Sequence, residues 1–192
     1  MQTMTNTKTK ESQIAATLAA RALVLEPFVT ALNRSAAQAL ESMLLVVKGQ
    51  CGAAENAGGT PFSGNDGAAL NRAFEQLGWD EKAWCGLLLE SSKVGSPKAD
   101  SLTGEQLNLL IEYIDPVVII ALDEVARQTL LQSMLGAKNL NTWFPRKTRE
   151  VQGRLLVSVD GFEAALGSDT HKQLVWHQLK QASYAEATKR FK

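Results

Sequence analysis

The residues of this chain whose types and spacing could do chemistry are three carboxylates and one aromatic side chain, set about a glycine-rich turn that can bend close to a ligand. Glu55 lies in the turn after the apolar run 44–47, and Asp123 and Asp160 follow the apolar runs 117–122 and 155–159. A carboxylate in such a place can orient water or accept a proton. Phe62 is the aromatic residue of this stretch, whose plain reading is a core ring under the loop, and Gly49, Gln50, Gly52 and Asn56 precede it in the turn. A second constellation is basic: Arg146, Lys147, Arg149 and Arg154, with Trp143 and Phe144 beside them. Basic and aromatic residues interleaved in a loop can hold a phosphate backbone and stack a base. The plainer reading is a charged, solvated surface loop.

These residues need elements to hold them. The segment 44–47 (LLVV) has the length and β-branched content of a buried parallel strand, and 84–89, 117–122 and 155–159 are three more apolar runs of strand length. Gly49, Gly52, Gly58 and Gly59 make the turn after the first strand. In an open α/β sheet that carboxyl end is where ligands bind. Helical spacing appears over 14–25, 28–42, 68–77, 103–114 and 124–135, with Pro27 dividing the first two. Thr103 and Gln106 form a capping box. Asp123 is favoured as the N-cap of 124–135 over a role as a solitary carboxylate. The expected organisation is a mobile tail over 1–13, N-terminal helices over 14–42, an α/β domain over 43–182 and a tail over 183–192.

With 192 residues, the chain suits one domain. Its 20 basic and 20 acidic residues cancel, so any nucleic-acid patch has to be local. Cys51 and Cys85 are too few for a cysteine-ligated cluster, and two histidines speak against a His-rich metal centre. No metal, no cofactor and no membrane partner is expected. No run approaches a membrane span of about 20 apolar residues, and the polar N-terminus lacks the order of a secretory signal. The expected location is cytoplasmic. The N-terminal helices are read as sheet-edge packing, with docking of a protein partner as the sharper alternative.

The stretch 44–70 resembles the first motif of the uracil-DNA glycosylase superfamily, in particular its thermostable iron-sulfur branch, approximately V-G-E-A-P-G-x-E-E-D-x-x-G-x-P-F-V-G-x-x-G-x-x-L. Val47, Gly52, Glu55, Gly59, Pro61, Phe62, Gly64, Gly67 and Leu70 match it without a gap. Residues 102–126 are similar to the pattern around a later strand, and Lys172, Val175, Trp176 and Leu179 match the closing helix. The resemblance implies a three-layer α/β/α fold around a mostly parallel, four-stranded sheet. It also implies that Phe62 stacks on an extruded base.

Where the branch has Gly-Glu-Ala-Pro, this chain has Lys48, Gly49, Gln50 and Cys51, so the turn carries no water-positioning carboxylate. Gly86 and Leu87 stand where the branch has its base-reading Thr-Asn pair, and Asp160 follows the last strand where the branch has a His-Pro-Ser. A carboxylate there raises the energy of an anionic leaving group. No cysteine precedes Cys51, so the cluster ligands are missing too. The expectation is a glycosylase-like protein with a degenerate site, acting as a binding or assembly module in DNA metabolism. The alternative is a divergent active glycosylase using Glu55, Asp123 or Asp160. A nucleotide-phosphate pocket at the glycine turn is weaker, since no Gly-Lys-Ser/Thr follows.

Overall fold

A computed structural model of the chain describes residues 2–90, 101–136, 148–159 and 161–190, with side chains described over 12–183. The fold is α/β. Its strands are β1 (Leu44–Lys48), β2 (Trp84–Leu88), β3 (Val118–Ala121), β4 (Arg149–Val151) and β5 (Arg154–Ser158), in the sheet order β2-β1-β3-β5-β4. The strands β2, β1, β3 and β5 are parallel, and β4 pairs antiparallel with β5 at one edge. The sheet therefore has five strands rather than the expected four. The extra strand forms because Gln152 and Gly153 both adopt positive φ (51° and 77°), the conformation that a tight two-residue hairpin needs. Its first strand and turn, residues 149–153, lie in the basic segment expected as a loop, and its second strand was expected over 155–159.

The parallel strands are apolar on both sides, as covered strands must be. One face carries Leu45, Val47, Leu87, Ile119 and Leu156 beneath α2 (Ala36–Leu40), α5 (Gly104–Ile114) and α6 (Glu124–Leu135). The other carries Leu44, Val46, Trp84, Ile120 and Val157 beneath α4 (Asn65–Gln76), α7 (Phe162–Ala165) and α8 (Asp169–Arg190). A four-residue helix, α3 (Ala53–Asn56), sits in the glycine-rich turn.

The N-terminal region differs from expectation in two ways. α1 (Gln2–Leu25) begins far ahead of Ile14, drawing into a helix the polar segment expected as a tail, and α8 likewise runs on to Arg190. The helix expected over 28–42 is broken instead: Pro27 opens a 3-10 segment, Glu26–Ala31, and Leu32 is extended. Leu32 bridges Leu87, while Asn33 accepts from Gly86 N at 2.7 Å and donates back to its carbonyl at 3.1 Å. Those bonds cover the open edge of β2, which helical geometry could not do. One expectation about composition also needs correcting. The 20 residues Ser12–Ala31, with a mean hydropathy of 1.5, are long and apolar enough to cross a membrane by length and composition alone. The stretch qualifies because its alanines dilute only Arg21 and Glu26. Its α-helical part ends at Leu25.

The sheet order fixes where a ligand has room. From β1 the chain goes out to β2 on one side, then returns to β3 on the other. Connections leave in opposite directions at that point, opening a crevice beyond the carboxyl ends of β1 and β3.

Candidate functional site

At that crevice β1 ends in a lysine. Strand alternation sends Leu44, Val46 and Lys48 to one face, so the Lys48 side chain rises from an apolar floor, with 5% of its surface exposed. Three carboxylates converge on its ammonium group. Asp66 Oδ2 lies at 2.6 Å, Glu55 Oε2 at 3.2 Å and Glu163 Oε1 at 3.3 Å. Glu55 and Asp66 are themselves buried, whereas the Glu163 side chain is 52% exposed. Burial pulls the Lys48 pKa down, but the hydrogen bond and charge of Asp66, then the charges of Glu55 and Glu163, outweigh it. The net effect raises it above the ordinary lysine value of 10.5. Lys48 is thus a locked ammonium ion, with no lone pair for nucleophilic attack.

Glu55 is spent on holding the loop. Its Oε2 accepts from Gly52 N at 2.9 Å and its Oε1 from Phe62 N at 2.9 Å, and Lys48 reaches both oxygens. A carboxylate committed on both oxygens is a structural anchor, not a base for water. Asp123 is likewise occupied: it caps α6 through Ala126 N at 2.7 Å and accepts from Gly49 N at 2.7 Å. The N-cap reading holds, and the second bond ties the β1 turn to α6. Asp160 lies outside the described residues.

Phe62 is seated in the core. Its exposure is 6%, its ring meets Trp84 edge to face with centroids 5.7 Å apart, and Lys48 Nζ lies 5.9 Å from its centroid. A Cβ on Gly86 would come within 2.6 Å of the ring, so the ring occupies the space that a side chain at 86 would need. Phe62 also holds φ at 61°, a left-handed conformation costly for a bulky residue, fixed here by its bond to Glu55. At 6% exposure the ring presents little surface on which a base could stack.

Two hollows flank the cluster. One, of about 290 Å³, is lined by Lys48, Gln50, Cys51, Asp66, Asp123 and Glu163 over a floor of Leu122 and Phe162; the other, of about 520 Å³, opens beside Ala54, Glu55, Asn65 and Asp66. Neither includes Phe62. Gly49 and Gly52 are buried in the loop behind them, while Asn56 is exposed and bonds the Cys51 carbonyl at 3.4 Å. Burial, followed by the Glu90 and Glu55 charges, raises the Cys51 thiol pKa, so this half-buried cysteine stays protonated near neutrality.

Of the basic constellation, Arg149 and Arg154 lie among the described residues. Arg154 is half-buried beside α5, where it bridges Glu112 at 3.1 Å and Asp115 at 2.9 Å, so its guanidinium is engaged within the fold. Its place as the first residue of β5, facing the end of α5, is the reason. Arg149 is half-buried on β4. Arg146 and Lys147, with Trp143 and Phe144, lie outside the described residues.

Lys48, Asp66 and Glu163 are the residues the sequence reading left out as a site. Asp66 is in the first turn of α4 and Glu163 in that of α7, separated from Lys48 by 18 and 115 positions. The available signal was a charged residue ending an otherwise apolar strand, which demands a buried partner. A scan against protein-family models finds no match for the chain, and a search of curated proteins finds none similar to it.

Proposed function

We propose that the chain is a non-catalytic binding or assembly module on a three-layer α/β/α body of the uracil-DNA glycosylase type, working in DNA metabolism. The parallel order β2-β1-β3-β5 and the motif spacing over 44–70 support the scaffold. The observation that carries the loss of chemistry is Phe62, buried on Gly86 beside a locked Lys48. Base excision needs a base stacked in a pocket with an activated water and an anion stabiliser. Here the ring is covered, Glu55 is saturated, and the charge at the hollow is negative overall. Exposed apolar side chains on α1 support the assembly role: Ile14 and Leu18 lie one turn apart, and Leu23, on another face, is 72% exposed. Contact with DNA would fall to Arg149 and to the segment containing Arg146 and Lys147.

A divergent glycosylase is the second reading, favoured by the presence of Asp66, Asp123 and Lys48 around one hollow. Incubating the full chain with uracil- and hypoxanthine-containing single and double strands, followed by alkaline cleavage, separates the two. The module reading predicts no strand breaks above the protein-free control. Turnover abolished by Asp66→Asn or Glu163→Gln would establish the glycosylase instead.

A further inference from the structure

We infer that residues 58–64 form a strained strap that lifts off the sheet as a unit, and that Phe62 is the plug by which it hides the surface of Gly86 and Trp84. The strap joins α3 to α4 without helix or strand of its own. Its backbone bonds are local: Gly58 N donates to the Glu55 carbonyl at 2.9 Å, Gly59 N to that of Ala54 at 2.9 Å and Ser63 N to that of Thr60 at 3.1 Å. Among the described residues none of them reaches a strand. Contact with the sheet comes from the Phe62 ring, which packs on Gly86 and meets Trp84 edge to face.

That anchor is held against a local cost. At φ 61° the Phe62 side chain crowds its own backbone, and a bulky residue stays there only where its surroundings enforce it. Two glycines and one carboxylate do so. A Cβ on Gly67 would collide with the Phe62 carbonyl oxygen and one on Gly86 would come within 2.6 Å of the ring, so Phe62 is seated between two positions without side chains. Glu55 Oε1 accepts from its amide at 2.9 Å. Burial of the ring favours this seat and the backbone conformation opposes it, with effects of the same order. A lifted strap restores extended backbone at residue 62, while α3, α4 and the sheet keep their own hydrogen bonds. Gly58, at φ 90° with open space where a Cβ would stand, serves as one hinge, and Gly64, the N-cap of α4, as the other. Lifting is therefore a sub-global opening that leaves the sheet intact. It uncovers the Gly86 backbone and the edge of Trp84, a flat apolar surface with the Lys48 ammonium beside it. In the closed state Phe62 is an autoinhibitory contact over that surface.

The device goes beyond the module reading and stands whether or not excision has been lost. Native-state hydrogen exchange of the full chain, read amide by amide at increasing urea, tests it. After correction for intrinsic rates, the Phe62 amide is expected to exchange about a hundredfold faster than those of Val46 and Ile120 in the sheet, with a weaker dependence on urea. Gly86→Ala separates release of the ring from fraying of the loop around a seated ring. Its methyl group destabilises the closed seat alone, so it should speed Phe62 exchange about tenfold. The strain itself is read from two further variants. Phe62→Gly should be more stable in urea than Phe62→Ala, the reverse of their usual order, because glycine carries no penalty at positive φ. A Phe62 amide that follows the sheet in rate and urea dependence, no acceleration by Gly86→Ala, or Phe62→Ala more stable than Phe62→Gly would each overturn the inference.

Discussion

The two faces of the sheet are closed in different ways. Beneath α5 and α6 the strand residues Leu45, Val47, Ile119, Ala121 and Leu156 belong to one cluster of buried apolar residues, where burial needs no charge partner. On the opposite face Leu44 and Val46 begin in the same manner, but the row ends in Lys48 and its carboxylates. The first face depends on volume, which any well-packed helix can supply. The second depends on charge balance, which only particular residues supply, and the hollows lie on that side. The two layers over one sheet are thus held in place by different physics.

Breaking each face should reveal that difference. Lys48→Met leaves Glu55 and Asp66 buried without their counter-ion and is expected to cost about 3–5 kcal/mol in urea unfolding at neutral pH. Leu130→Ala under α6 should cost about 2–5 kcal/mol by opening a cavity. The two penalties separate on acidification. The Lys48→Met deficit should shrink as the stranded carboxylates take up protons, while the Leu130→Ala deficit stays constant. Parallel behaviour of the two variants would contradict the comparison.

Gly86→Ala tests the seat of Phe62 between the aromatic residues. The new Cβ meets the ring at 2.6 Å, so a loss of about 1–3 kcal/mol is expected from overpacking. Near-uv circular dichroism should change together with stability, since Trp84 stacks on the displaced ring.

The alkaline limb sharpens the electrostatic side. The Lys48 pKa is raised in the folded state, so its contribution is complete below the unfolded value of 10.5 and disappears as pH climbs through the folded value. Urea melts from pH 9 upward should show this loss in the parent chain and not in Lys48→Met. The smallest effect concerns the thiols. Cys85, on the hydrocarbon face, is buried and its pKa is pushed up to about 12, whereas Cys51 borders the hollow. A disulfide reagent should titrate one thiol slowly in the native chain and two in urea.

Much of the scaffold was legible because its signals are local. The apolar run ending at Lys48, the Thr103–Gln106 capping box and the Asp123 N-cap each depend on neighbours within a few residues, and each is present. The site was not legible because its charges meet across the fold: nothing near Asp66 or Glu163 in sequence announces a lysine. Arg154 looked like part of a basic loop until β5 brought it to Glu112 and Asp115. The Gln152–Gly153 hairpin was missed because glutamine is an uncommon occupant of a positive-φ turn position, so the pair lacks the usual Asn-Gly signal. Phe62 was visible as an important ring, but its burial depends on Gly86, one strand away.

The proposed loss of base chemistry depends on a protonated Lys48 held by the buried carboxylates Glu55 and Asp66. Nitrogen-15 NMR of the lysine ammonium groups, followed through an alkaline titration with Lys48→Met for assignment, measures this directly. The Lys48 signal is expected to keep its protons beyond pH 10.5. A Lys48 amine that loses its proton below that value would contradict it.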